Sequence, residues 1–242
     1  MRLLLDETGA VPPGAQVGPD GLRAVYAAPA PQWVRANFVS TLDGSVTGAD
    51  GRSGSINTPA DHVVFEVLRR LSDVVLVGAG TVRAEGYTPL GEEDGGAPAL
   101  AVVTASGRVP PTVAGPPADG RGEVLLVTCA AAGEERLREA RSALGADAVL
   151  VCGDGEVDLR RARDELAARG LRQVLCEGGP SLLGAALAAG VVDELDLTLV
   201  PTLVGGSDRP RITAGPDLGV ALAPMALLEQ DGTVLGRWRV LR

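Results

Sequence analysis

The sequence predicts an α/β fold whose central sheet is mainly parallel, is flanked by helices and ends in an antiparallel hairpin. Three observations carry this expectation. Short continuous apolar runs such as Val74-Val75-Leu76-Val77 have the composition of strands buried on both faces. Between residues 124 and 176 such runs alternate with amphipathic stretches of helical length, a β-α-β-α-β rhythm. Near the end of the chain, segments at 226–229 and 235–241 flank Asp231-Gly232, a strong hairpin signal.

Taken in order, residues 1–31 are rich in Gly and Pro, show little periodicity and read as an N-terminal extension, with regular structure expected from Trp33. Residues 32–242 read as one domain, without a linker or internal repeat. Residues 33–39 alternate in part and lead into the turn Thr41-Leu42-Asp43-Gly44, after which 45–47 are expected to resume extended structure. Thr58-Pro59 opens a helix: Val63, Val64, Val67, Leu68 and Leu71 share one face, Asp61 lies in the first turn, and Arg69 and Arg70 lie at the far end. The strand at 74–77 runs into Gly78-Ala79-Gly80-Thr81. Another strand is expected at 100–104, then an exposed Pro/Gly-rich loop at 107–122. Strands at 124–129, 148–152 and 171–176 enclose helices at 134–144 and 159–168, the second stopped by Gly170. A helix at 181–189 ends at Gly190, and a strand at 195–200 is closed by Pro201.

Composition narrows the function. At 242 residues and 45% hydrophobic content the chain can bury a substantial core. A formal charge of −9 argues against nucleic acid or anionic lipid as partner, and an anionic ligand must then be held by local groups. No apolar run reaches membrane-spanning length, and Met1-Arg2-Leu3-Leu4-Leu5 meets Asp6 too soon for a signal peptide, so a cytoplasmic location is expected. Cys129, Cys152 and Cys176 are far apart and lie in or beside apolar runs, as core thiols in a reducing compartment do. His62 is the sole histidine, so no metal site is expected, and a Ser-His-Asp hydrolase lacks its G-x-S-x-G elbow.

The most informative stretch is Leu175-Cys176-Glu177-Gly178-Gly179-Pro180-Ser181. A carboxylate, two glycines and a new helix N-terminus converge there at a strand end. Adjacent glycines allow close approach to the main chain, and a helix start presents N–H groups that suit a phosphate. The same residues also suit a plain tight turn, with Pro180 at the first helical position. Glu177 tips the balance toward a ligand site, because open α/β sheets bind ligands at the carboxyl ends of their strands. In a parallel sheet the loops at 41–44, 78–82 and 177–180 share that edge. A Rossmann fingerprint is absent, since Arg83 stands where its third glycine belongs.

In these residues the chain resembles the riboflavin-biosynthesis pyrimidine reductases, the carboxyl-terminal domain of bacterial deaminase-reductases, with a dihydrofolate reductase-like fold. The likeness runs from Trp33 nearly to the C-terminus, through Ser40-Thr41-Leu42-Asp43-Gly44, Leu68-Arg69, residues 73–82, Glu177-Gly178-Gly179-Pro180, and Asp193-Glu194-Leu195 with Pro201, Leu203 and Gly205. It implies a reductase domain over 32–242, without the zinc motif of a deaminase, that uses NADPH to reduce 5-amino-6-(5-phosphoribosylamino)uracil by hydride transfer to the ribose C1′. It also implies a homodimer. Glu177 and Asp43 are the catalytic candidates. By the same resemblance Ser40, Ser55, Thr81, Glu85, Gly179, Pro180, Ser181, Leu182 and Leu183 match positions that hold the cofactor, and Ser53, Arg69 and Glu177 match positions that bind substrate; Gly78, Gly80, Gly178 and Ser106 are further cofactor candidates from their place in the loops. Arg69 is the candidate bidentate donor to a phosphate or carboxylate, and Glu177 the acceptor for N–H groups of the heterocycle. Arg83 and Arg108 are candidates for a 2′-phosphate. Asp43 also suits a turn former, and Thr81 a helix cap. Three departures stand out: Ser55 replaces an aromatic, Glu85 an aspartate, and Leu90-Gly91-Glu92-Glu93-Asp94 offers acids where the family carries an arginine. Losing one charge-assisted phosphate contact costs about 1.5–3 kcal/mol, which leaves dihydrofolate or another pterin as the alternative acceptor. A catalytically silent dinucleotide-binding protein is the non-enzyme alternative.

Overall fold

The computed structural model describes residues 1–7, 9, 11–91, 97–115 and 119–242. The acidic segment 92–94 and part of the 107–122 loop thus lie outside the described residues. In chain order the described strands are β1 (Arg2–Asp6), β2 (Trp33–Thr41), β3 (Val74–Gly78), β4 (Ala99–Val103), β5 (Val124–Thr128), β6 (Val149–Val151), β7 (Gln173–Gly178), β8 (Glu194–Val200), β9 (Leu222–Gln230) and β10 (Thr233–Val240). The described helices are α1 (Pro19–Val25), α2 (Pro59–Arg70), α3 (Ala79–Glu85), α4 (Glu134–Leu144), α5 (Leu159–Ala168) and α6 (Pro180–Ala188).

All ten strands join one sheet in the order β1-β9-β10-β8-β2-β7-β3-β4-β5-β6. From β8 to β6 every neighbouring pair is parallel, and β10, β9 and β1 extend the sheet antiparallel. The continuous apolar runs occupy the parallel part because helices cover both of its faces. Period-two alternation divides β3: Val75 and Val77 face a core shared with α1 to α4, whereas Val74 and Leu76 face one shared with α5 and α6. At the β9–β10 turn Asp231 and Gly232 have φ of +52° and +80°, the left-handed pair that a two-residue hairpin loop requires.

The expected order of elements is met from Trp33 onward, but three local expectations need correction. Regular structure begins at Arg2: β1 pairs with β9, and Leu3, Leu22, Val25 and Tyr26 are buried. A five-residue edge strand and a seven-residue helix are too short to show a clear apolar period, which is why residues 1–31 read as an irregular extension. Residues 45–47 do not form a strand. The Thr41 hydroxyl accepts from the Ser45 amide (3.0 Å), and the Ser45 hydroxyl donates to the Thr47 carbonyl (2.7 Å), curling the segment on itself. Thr81 does not cap α3, since Gly78 holds the N-cap position and Thr81 lies inside the first turn.

Helix α2 does start at its expected cap, where Thr58 Oγ1 accepts from the Asp61 amide at 3.3 Å. Thr58→Ala is expected to lower stability by about 1 kcal/mol, readable as a shifted urea midpoint at unchanged m-value.

Candidate active-site cleft

Strands β2, β7 and β3 are parallel neighbours, so the turns that follow them meet at one sheet edge. Beneath that edge β2 supplies Asn37 and Phe38, α2 supplies Asp61 and Phe65, α3 supplies Gly80, Thr81 and Glu85, and β7 with its turn supplies Glu177, Gly179 and Pro180. Together they line a cavity of about 280 Å³. An outer groove of about 400 Å³ adjoins it through shared Ser53, Asn57, Phe65, Glu85 and Tyr87, and adds Arg69 and Arg121.

The two glycines at the end of β7 are sterically required. Gly178 has φ +92°, and a Cβ there would lie 2.7 Å from Phe38 Cζ; a Cβ on Gly179 would lie 2.8 Å from Thr81 Oγ1. The main chain itself therefore forms the wall, while Gly80 on α3 has open space where a Cβ would point. This bare backbone surface beside a helix start fits the phosphates of a dinucleotide.

The centre of the site is a charged cluster drawn from three distant segments. Arg69 Nε and Nη2 donate to Glu177 Oε1 and Oε2, each at 2.7 Å, and the Tyr87 hydroxyl donates to Oε2, also at 2.7 Å. The Arg69 guanidinium lies 4.2 Å from the Phe65 ring centroid, a cation–π contact along α2. Burial disfavours the charge of Arg69, but the hydrogen bonds and charge of Glu177 outweigh it and hold the guanidinium firmly protonated. Burial, reinforced by the Glu177 charge, pushes the Tyr87 hydroxyl well above its usual range. Sequence reading assigned Arg69 and Glu177 to separate contacts with ligand; the structure instead commits them to each other.

Nearby, the Ser53 amide and hydroxyl both donate to Glu85 Oε1 at 3.2 and 3.0 Å, tying the loop before α2 to the end of α3. Asp61 is buried in the cavity wall, and desolvation raises its pKa above the ordinary carboxyl value against the opposing effect of a hydrogen bond with Thr198.

Of the residues picked out by sequence, Ser53, Gly80, Thr81, Glu85, Glu177, Gly179 and Pro180 line the cavity, and Arg69 the adjoining groove. Others stand elsewhere. Asp43 is exposed and outside the lining: it accepts from the Thr41 hydroxyl and from the amides of Val204 (3.0 Å) and Gly205 (2.7 Å). These bonds, the Thr41 one foremost, hold its carboxyl below the usual range and make it a clamp on the 204–205 loop. Ser40 is buried and donates to the Thr41 carbonyl, Ser55 donates to Asp50 Oδ1 at 2.6 Å, and Ser106 pairs with Thr104. Gly78 backs onto Gly178, 3.6 Å from its carbonyl oxygen to a built Cβ. Leu182 and Leu183 are buried in the core and line neither the cavity nor the groove, and the Leu183 amide donates to the Gly179 carbonyl. Ser181, Arg83 and Arg108 are exposed.

Sequence reading missed Tyr87, Phe65, Arg121 and the inward face of Asp61. Phe65 and Arg69 at i, i+4 carried a detectable signal. Asp61 reads from sequence only as a first-turn residue of its helix, and Tyr87 and Arg121 meet the site only through tertiary folding.

Comparison with known proteins agrees with this architecture. The chain is 27% identical over 194 residues to the 2,5-diamino-6-ribosylamino-4(3H)-pyrimidinone 5′-phosphate reductase of Archaeoglobus fulgidus, covering 76% of this chain and 86% of that one. To the enzyme of the same name from Methanothermobacter thermautotrophicus it is 29% identical over 187 residues, covering 76% and 84%. It spans about half the length of the RibD proteins it matches, 49% of the one from Mycobacterium tuberculosis. Among solved structures, a pyrimidine reductase-like protein from Corynebacterium diphtheriae superposes with a TM-score of 0.77 at 27% identity, covering 87% of this chain and 92% of that one. The model of the RibD C-terminal domain matches residues 32–234. That span takes in the glycine wall, the Arg69–Glu177–Tyr87 cluster and the strands that position them, and the chain therefore belongs to the RibD C-terminal domain family.

Proposed function

We propose that this protein is an NADPH-dependent oxidoreductase that reduces a ribosylaminopyrimidine 5′-phosphate in riboflavin biosynthesis, with hydride transfer to the ribose C1′. The observation that carries the reading is the Arg69–Glu177–Tyr87 cluster, standing where a glycine-walled cavity adjoins a groove that Arg121 also lines. In this arrangement the dinucleotide lies against Gly80, Thr81, Gly179 and Pro180, and its nicotinamide supplies the hydride when bound. The carboxylate of Glu177 keeps acceptor capacity beyond its bonds to Arg69 and Tyr87, so it can receive pyrimidine N–H groups while the guanidinium fixes its orientation. The ribose phosphate extends into the outer groove toward Arg121, whose Nη1 donates to the Pro89 carbonyl at 3.1 Å and so carries a cation to the rim from a distant turn. Arg121 thereby takes over the task of the arginine that the 90–94 segment lacks.

The wider setting belongs to the same reading. Three buried free thiols support a reducing, cytoplasmic location. No helix among the described residues is long and apolar enough to cross a membrane. Leu42 and Leu203, exposed by 63% and 73% on loops that touch through the Leu42 amide and the Thr202 carbonyl, support a homodimer contact.

The test is NADPH oxidation with the diaminopyrimidinone and the aminouracil phosphates side by side, and dihydrofolate as the competing acceptor. Turnover with a pyrimidine phosphate is expected; none at saturation with either removes the proposal. Arg121→Ala is expected to raise KM for the phosphorylated substrate ten- to a hundredfold, as loss of a charge-assisted contact worth about 1.5–3 kcal/mol does, with the dephosphorylated riboside unaffected.

A further inference from the structure

The reduction consumes a proton as well as a hydride, and most ionisable groups of the cleft are placed so that they cannot give one. Both carboxyl oxygens of Glu177 accept from the two nitrogens of Arg69, and the proton of the Tyr87 hydroxyl is already directed at Glu177 Oε2. Glu85 accepts two hydrogen bonds from Ser53 on the exposed side of the cavity. Asp61 differs from all of these. It sits in the first turn of α2, is only 4% exposed, and still forms part of the wall of the same small cavity as Glu177 and Gly179.

Both polar and charged groups surround it. From β8 the Thr198 hydroxyl hydrogen-bonds its carboxyl, and from β2 Asn37 shares the cavity wall. On its own helix His62 is mostly exposed and lies 3.9 Å from Glu66. Behind it, at the end of α1, stands the buried Tyr26 hydroxyl, and beyond Tyr26 are Asp196, Glu194 and Arg237. Across the cavity are Glu85, Tyr87 and Glu177. Among the described residues no guanidinium is hydrogen-bonded to Asp61, in contrast to Glu177, and its removal from water favours the neutral acid.

We propose that Asp61 is the general acid of the reaction, donating its proton to the ribose ring oxygen as the ring opens. The assignment rests on the pyrimidine-reductase reading above. C1′ of the substrate accepts hydride from the dihydronicotinamide, the C1′–O4′ bond breaks, and its electron pair stays on O4′. The proton of Asp61 completes the new 4′-hydroxyl. The donor leaves as the oxidised nicotinamide, and the Asp61 carboxylate regains a proton from solvent through the open groove after product departs. Thr198 keeps the acid oriented during the cycle.

The test combines Asp61→Asn with an infrared titration of the wild-type protein. The acid works only when protonated, so wild-type kcat is expected to fall as pH rises through its pKa. Asp61→Asn is expected to lower kcat about a hundredfold or more, to erase that alkaline limb, and to leave the NADPH Kd and the substrate KM within about twofold. Independently of turnover, the wild type is expected to show the carbonyl band of a buried protonated carboxyl that is missing from Asp61→Asn and vanishes with the same pH dependence as kcat. A variant with wild-type kcat and pH profile overturns the proposal, as does a wild-type spectrum without the band. If the wild type shows the band but reduces neither pyrimidine phosphate, the substrate reading falls while the protonated Asp61 stands. The infrared titration also decides the matter should the variant fail to fold.

Discussion

Glu194→Ala is expected to destabilise the protein by about 3–5 kcal/mol, the usual cost of leaving buried charges without their partner. Glu194 accepts from Arg237 Nε and Nη2 at 2.8 and 2.7 Å and from the Trp33 indole at 2.7 Å, and all of its side chain is buried. Arg35 stands 3.9 Å away, with 2% of its side chain exposed. The same guanidinium groups hold the end of α1: Arg237 donates to the carbonyls of Val25 and, at 2.9 Å, Ala27, and Arg35 to that of Tyr26 at 2.9 Å. Removing the carboxylate leaves two buried cations with only the α1 carbonyls and the neighbouring Asp196 carboxyl to offset them, so the N-terminal segment is expected to detach early in unfolding. Burial alone would raise the pKa of Glu194, but the hydrogen bonds of Arg237 and the charges of both arginines outweigh it and the net direction is down. A carboxyl depressed in the folded state contributes its stability above its unfolded pKa and loses it as pH falls through the folded value. The gap between wild type and variant is therefore expected to be full at neutral pH and to close in acid. Urea unfolding across that range measures it; a difference below about 1 kcal/mol at neutral pH would contradict the assigned network.

Arg69→Ala is expected to cost about 3 kcal/mol and to abolish most of the turnover. Only 3% of the Glu177 side chain is exposed, so without the guanidinium its charge is left to the Tyr87 hydroxyl alone. The contact with Phe65 disappears as well. In the Glu177→Gln background the same substitution should cost much less, because no buried anion remains to be stranded. A double-mutant cycle in urea isolates the coupling, and additive costs would dissolve the cluster as an energetic unit. Cofactor affinity is expected to hold in both single variants, since neither substitution touches the bare backbone at Gly179 and Gly80; its loss would mean that the fold had been damaged.

Much of the architecture was legible before folding. The runs at 74–77 and 171–176, the helices at 134–144 and 159–168 and the Asp231-Gly232 turn are local patterns, and each appears within a few residues of its expected place. The turn after Glu177 was legible for the same reason: a strand end, two glycines and a helix start are contiguous in the chain. Residues 1–31 were misread because their few core side chains, Leu3, Leu22, Val25 and Tyr26, are too sparse to form a period and are buried by partners far along the chain.

The sequence by itself thus determined the succession of strands and helices from Trp33 onward, the parallel core and the edge at which the candidate cavity lies, because apolar periodicity and turn chemistry act between near neighbours. Only the tertiary structure decided that Arg69 meets Glu177 across 108 residues, that Tyr87 meets it across 90, and that Asp61 faces the cavity as well as its own helix start. Charges choose partners through space, and the free energy of a buried ion or acid depends on what desolvates it, a property that no local stretch of sequence contains.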